Sequence, residues 1–358
     1  MTKITLSTLV FMIFISSLGQ CALAIPYWAD NASITYKATY YPPYVDYRLS
    51  QKDKPEWITT SDLVYNYSDV FYMIRTYGST TLKFYLKRNV RFVDVTAEMI
   101  LRNVNVTTFL PSGISPPIFW NESEILSTNT VESHYSGFRD WKWYIFHLRE
   151  LTIIGKYRIR VNDSMVIKEG VVYGHTMLWD DPMSPLTNGS PFSIHPISTK
   201  IKSVQIDNDN VFETRNITIE PPTKLVLTTP YSYNITQHLG KDFLLENTPY
   251  SMMIFRFDAS RGILLSTSQE APDLWALGIL SASFRDEYSQ YHIEVKGDEF
   301  YLTGLVLEDF TTNVESSEEE DVYYPPVKTE LKWMFYASIM TLVGVLVWNL
   351  RSLKVDRQ

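Results

Sequence analysis

The stretch ELTIIGKYRIRV, Glu150 to Val161, decides how the fold is read. Leu151, Gly155, Tyr157, Ile159 and Val161 fall two or four apart, so one side of an extended chain carries them all. A hairpin follows. If Asn162, Asp163 and Ser164 form a three-residue loop, Val161 faces Met165 and Ile159 faces Ile167, apolar against apolar. The Asn162 sequon then stands at an exposed tip.

Upstream of this hairpin the period is also two. Ile34, Tyr36, Ala38 and Tyr40 alternate with Thr35, Lys37 and Thr39, and Pro42-Pro43 ends the run. Val70 to Tyr77 is aromatic and β-branched, and Leu82, Phe84 and Leu86 alternate with Lys83, Tyr85 and Lys87. No long segment carries a helical stripe. The Leu151, Gly155, Tyr157 pattern resembles the tyrosine corner of immunoglobulin-like sandwiches. That resemblance implies a core leucine, a glycine bend and a tyrosine hydroxyl that ties the corner. It covers one corner only, without the cysteines of that fold. Residues 25–180 are therefore expected to form a first β-sandwich-like domain of the immunoglobulin-like kind.

Downstream, Asp181 to Pro196 reads DPMSPLTNGSPFSIHP, and its four prolines predict a junction over residues 181–197. A second β-rich domain is expected over 198–312. Val204/Ile206, Ile217/Ile219 and Leu225/Leu227 alternate there, and Gly297-Asp298 suits a two-residue hairpin turn. The region from Ala271 to Phe284 can carry a short helix. Five carboxylates in ESSEEED, Glu315 to Asp321, precede Tyr323, Tyr324, Pro325 and Pro326. Self-repulsion and proline extend a chain, so 313–332 reads as a stalk.

The two ends give the topology. WMFYASIMTLVGVLVWNL, Trp333 to Leu350, holds no charged residue and is long enough to cross a bilayer core. Trp333 and Trp348 suit the two interfaces. Arg351, Lys354 and Arg357 keep the tail, 351–358, in the cytoplasm. Ser338, Thr341 and Gly344 set small residues near one side of this helix, where a partner helix can pack. Residues 1–24 read as a signal peptide: Lys3, an apolar run, then Ala22-Leu23-Ala24 for cleavage. A lipobox ending at Cys21 would need a small residue where Gln20 stands. Cys21 is the one cysteine, so cleavage leaves a chain without disulfides or thiolate chemistry. That suits an organism that stabilises its outer proteins by other means, a thermophilic archaeon among the candidates.

Eight of the 16 asparagines head an N-x-S/T sequon: Asn31, Asn66, Asn105, Asn121, Asn162, Asn188, Asn216 and Asn234. Chance would give roughly three, so the excess predicts N-glycosylation and surface placement. The net charge of −8 argues against a nucleic-acid partner, and 45 % hydrophobic residues with 24 tyrosines supply ample core.

Chemistry is sparse. The six histidines show no zinc-ligand spacing, and His147 to Glu150 is a lone H-x-x-E. There is no nucleophile elbow, P-loop or dinucleotide fingerprint. Asp180 and Asp181 are adjacent and point apart in a strand, so only an opposing partner such as Glu150 would give a carboxylate pair. Trp141 and Trp143 share one strand face. Exposed, they would stack on a sugar ring or a partner; the apolar opposite face of Tyr144, Phe146 and Leu148 favours core.

The sequence therefore predicts a single-pass surface glycoprotein: an all-β ectodomain of two antiparallel β-sandwich-like domains, an acidic stalk and one C-terminal transmembrane helix. The expected role is non-enzymatic binding, adhesion or envelope scaffolding. The expected partners are membrane lipid, a protein or envelope assembly, or a glycan, with no cofactor and no metal. A membrane-tethered hydrolase acting on glycans or peptides, and an accessory subunit of a membrane complex, are the alternatives.

Overall fold

A computed structural model describes residues 26–41, 57–58, 60–181, 184–195, 197–209, 211–213, 216–267, 271–285 and 302–312. The chain runs β1 (Ala32–Tyr41), β2 (Trp57–Ile58), β3 (Thr60–Tyr67), β4 (Val70–Thr76), β5 (Thr80–Arg88) and β6 (Phe92–Pro111). There follow β7 (Ile125–Glu132), β8 (Trp141–Arg160), β9 (Met165–Lys168), β10 (Val171–His175), β11 (Pro191–Ile194) and β12 (Ile197–Asp207). Then come β13 (Phe212–Glu213), β14 (Thr218–Ile219), β15 (Thr223–Thr228), β16 (Tyr231–His238), β17 (Asp242–Ser251), β18 (Ile254–Asp258) and β19 (Leu264–Thr267). A short helix α1 (Pro272–Ala276), β20 (Ile279–Arg285) and β21 (Leu302–Thr312) complete it.

Twelve strands close on themselves. β1 pairs with β5, β5 with β6, β6 with β8, β8 with β9, β9 with β10 and β10 with β11. The ring continues through β12, β15, β18, β19 and β21, and β21 returns to β1. Every pairing is antiparallel. Closure leaves these strands no free edge, which is the most complete answer to the edge-strand hazard. The expectation of two sandwich domains is thus corrected. The stretches placed in separate domains form two adjoining arcs of one barrel, β1 to β10 and β12 to β21, and β11, inside the expected junction, is the stave that joins them.

The alternation that the sequence shows is the inside and outside of this barrel. Ile34, Tyr36 and Ala38 on β1, and Leu82, Phe84 and Leu86 on β5, are buried, as are Val93 to Leu101 at every second residue on β6. β6 and β8, at 20 residues each, are over three times the usual strand length of about 5–6, because they continue from the barrel into a second layer. Their paired ends Phe92 and Arg160 lie in the barrel. The other half of β6, Val104 to Thr107, pairs with β4, and β7 lies on the corresponding half of β8. β20, β3, β4, β6, β8 and β7 thereby form a second antiparallel layer splaying from the barrel. The β16–β17 hairpin packs on it: buried Gln237 accepts from Phe71 N and donates to Phe109 O.

Inside the barrel lies α1, against the inner faces of β8, β9, β10 and β11. Pro272 starts it at a position where a missing N–H costs nothing. Gly155 makes the room: a Cβ there would sit 2.5 Å from Leu277 Cδ2, just past the helix. The glycine of the expected corner is a helix seat, not a bend. The hairpin after β8 also differs by one residue, with Ile159 opposite Val166 and Arg158 opposite Ile167. Ser164 takes a left-handed φ of 56° and donates its N–H to Arg160 O, closing a longer turn than a three-residue loop.

No helix among the described residues is long and apolar enough to cross a membrane. The signal peptide at 1–24, the Gly297-Asp298 hairpin, the acidic stalk, the span at 333–350 and the tail lie outside the described residues.

Candidate functional site

The barrel interior carries a polar cluster around α1. Asp273, in α1, is fully buried, and both its carboxylate oxygens are engaged. Oδ1 accepts from the Tyr157 hydroxyl at 2.7 Å and the Thr176 hydroxyl at 2.8 Å, and Oδ2 accepts from Met177 N at 2.6 Å. Burial pushes the carboxyl up to about 6, against the pull of these donors. Burial, then the Asp273 charge, raises Tyr157 and also Tyr36, whose hydroxyl donates to Leu264 O. One carboxylate thus ties β8, the crossing segment at 176–177 and the helix together. Tyr157 is the tyrosine of the expected corner, but it holds an internal helix where a sandwich corner would hold upstream backbone.

A second cluster closes one end. Thr176 N donates to Ser164 O, Leu264 N to Leu178 O and Asp180 N to Gly262 O, so residues 176–181 cross from the β8–β9 turn to the β18–β19 turn. Trp179, on this strap, meets the indole of Trp28 edge-on, and its Nε1 donates to Ser164 Oγ. Asp180 accepts from Lys224 Nζ at 2.5 Å and from Leu186 N. Burial outweighs the lysine and raises its carboxyl, as expected for an ion pair removed from water. His175 stacks near Phe192, and burial lowers its imidazole below the ordinary value despite Asp163 and Asp180.

The candidates named from sequence are placed as follows. Asp180 and Asp181 are both buried. Glu150 is not their partner; it pairs with Arg102 on the outer wall. His147 meets Asn105 Oδ1 at 2.7 Å. Trp141 is buried, and Trp143 is half-buried beside it in a cluster with Phe109 and Phe243. Among the described residues no group of three or more His, Cys, Asp or Glu side chains is placed to hold a metal ion.

Of the eight sequon asparagines, Asn31, Asn121, Asn162, Asn188, Asn216 and Asn234 are exposed and Asn66 and Asn105 half-buried. Asn121 and Asn188 accept bonds through Oδ1, as Asn105 does, and not through the nitrogen that bears an N-glycan. Asn216 is the exception, donating Nδ2 to Glu308. Sequence reasoning missed Asp273. Its only signal was a lone acid in an apolar stretch, APDLWALG, where a buried charge needs a partner. No protein-family model, curated protein or solved structure matches the chain.

Proposed function

We propose that the chain is an extracytoplasmic, membrane-tethered glycoprotein whose role is binding or scaffolding, not catalysis. One observation carries most of this reading: the fully buried carboxylate Asp273 is spent on structure, with three donors from two elements besides its own helix. Asp180 is likewise consumed by Lys224 and the 186 backbone. A packed barrel of this kind is a rigid body for presenting its outer surface. The uncharged span, the signal-like leader and the exposure of six of the eight sequon asparagines support the outward orientation.

Protease applied to intact cells tests it. Under this reading the bulk of the chain is digested, and an N-glycosidase shifts the mobility of the untreated protein. Full protection, or mobility unaltered by the glycosidase, would remove it.

A further inference from the structure

The barrel wall next to the chain's exit is cationic in a molecule of net charge −8. Outward side chains at alternate positions give Lys83 and Lys87 on β5 and Lys156 and Arg158 on β8, and Arg88 and Arg91 flank the exposed β5–β6 turn. Asp94 and Glu98 of β6 lie between them. Asp94 is taken by Arg158. Lys83, Lys87, Arg88, Arg91 and Lys156 make no ion pair within 4 Å among the described residues. The wall carries no sequon: Asn31, Asn105 and Asn162 all lie at its borders.

The chain leaves the barrel beside this wall. β21 ends at Thr312, opposite Ala32, and Thr311 is level with Tyr85 through Ser33 of β1. β21 and β5 both pair antiparallel with β1 and so run the same way. The direction of β21 at Thr312 therefore points toward the level of Lys87 and Arg88, two strand spacings away, about 10 Å. The next charged stretch is Glu315 to Asp321, with five carboxylates in seven residues. At about 3.3 Å per residue its far end reaches up to roughly 30 Å, beyond β8 at about 19 Å. Each exposed pair contributes little alone, but the short tether gives an effective concentration in the millimolar range.

We infer that the acidic run Glu315–Asp321 docks on this cationic wall, fixing the direction in which the barrel stands on its C-terminal segment. The inference needs the run's sequence, the cationic wall and the place where β21 ends, and not the membrane reading, so it holds or fails apart from it. Charge attraction of this kind is screened by salt, which makes it separable from apolar docking.

The test uses the full chain in detergent micelles with Cys21→Ser, spin-labelled at Thr96→Cys on the wall and Ser317→Cys in the run. The expected result is one narrow population under about 25 Å at low salt. It should broaden and lengthen in 1 M NaCl, and with Lys83→Glu, Lys87→Glu and Lys156→Glu together. Glu318→Gln, Glu319→Gln and Glu320→Gln leave the barrel sequence intact and should have the same effect, which covers a wall variant that fails to fold. A broad distribution at every salt, or a narrow one indifferent to both variants, overturns the inference. So does wall-dependent co-sedimentation with phosphatidylglycerol vesicles while the label distance stays unchanged, which would assign the wall to lipid headgroups.

Discussion

Asp273 sets the energetics of the barrel interior. Asp273→Asn keeps the size and an oxygen for Met177 N, but it turns the other acceptor into a donor facing the Tyr157 and Thr176 hydroxyls, both of which must then reverse direction. A cost of about 1–3 kcal/mol follows, read as a lower denaturant midpoint. Tyr157→Phe removes one donor and should cost about 1 kcal/mol; the double variant should cost less than the sum, because the two share one bond. The pH dependence has a definite sign. The folded chain holds the Asp273 proton up to about 6, whereas the unfolded chain releases it near 3.8. Stability from this group is therefore greatest at low pH and falls as pH rises between those values, by roughly 3 kcal/mol at most. His175 acts oppositely. Its imidazole is held neutral by burial, so stability drops as pH falls below 6.5 and the unfolded chain takes up the proton first. Equilibrium unfolding from pH 4 to 8 should show Asp273→Asn removing the first slope and His175→Gln the second.

At the level of elements, glycine decides where α1 can lie. Gly155→Ala puts a methyl against the Leu277 side chain and should cost about 1–3 kcal/mol. Adding Leu277→Ala should recover part of the overpacking cost, measured again as a midpoint shift. Gly174 is stricter: its φ is +130°, and a Cβ would lie 1.8 Å from Ser193 O, which is backbone and cannot yield. Gly174→Ala should abolish accumulation of folded protein. The alternation of β1, β5 and the 151–161 stretch was legible because a period of two marks inside from outside whatever the sheet. The use of Gly155 and Tyr157 was not, because a glycine and tyrosine beside a core leucine fit a sandwich corner as well as a helix seat. Only the position of Asp273, 116 residues from Tyr157, separates the two.

For the whole molecule, closure is the property that local pattern could not supply. The proline-rich run at 181–196 reads as a boundary, since prolines do break strands. Here Pro191 merely opens β11, and Pro185 lies in the connection before it. The seam that makes the barrel, β21 against β1, joins residues about 270 positions apart, and no periodicity encodes such a pairing. It also carries the claim that the first and last strands belong to one body. The most direct measurement is disulfide trapping across that seam in a chain made cysteine-free by Cys21→Ala. Ser33→Cys and Thr311→Cys face each other in register, within disulfide reach for directly opposed strand residues. The account predicts rapid, intramolecular oxidation of the pair with no loss of melting temperature, and none when Thr311→Cys is replaced by Ser266→Cys. Thiols that stay reduced, or that bridge only between molecules, would contradict a closed barrel and return the two ends of the chain to separate domains.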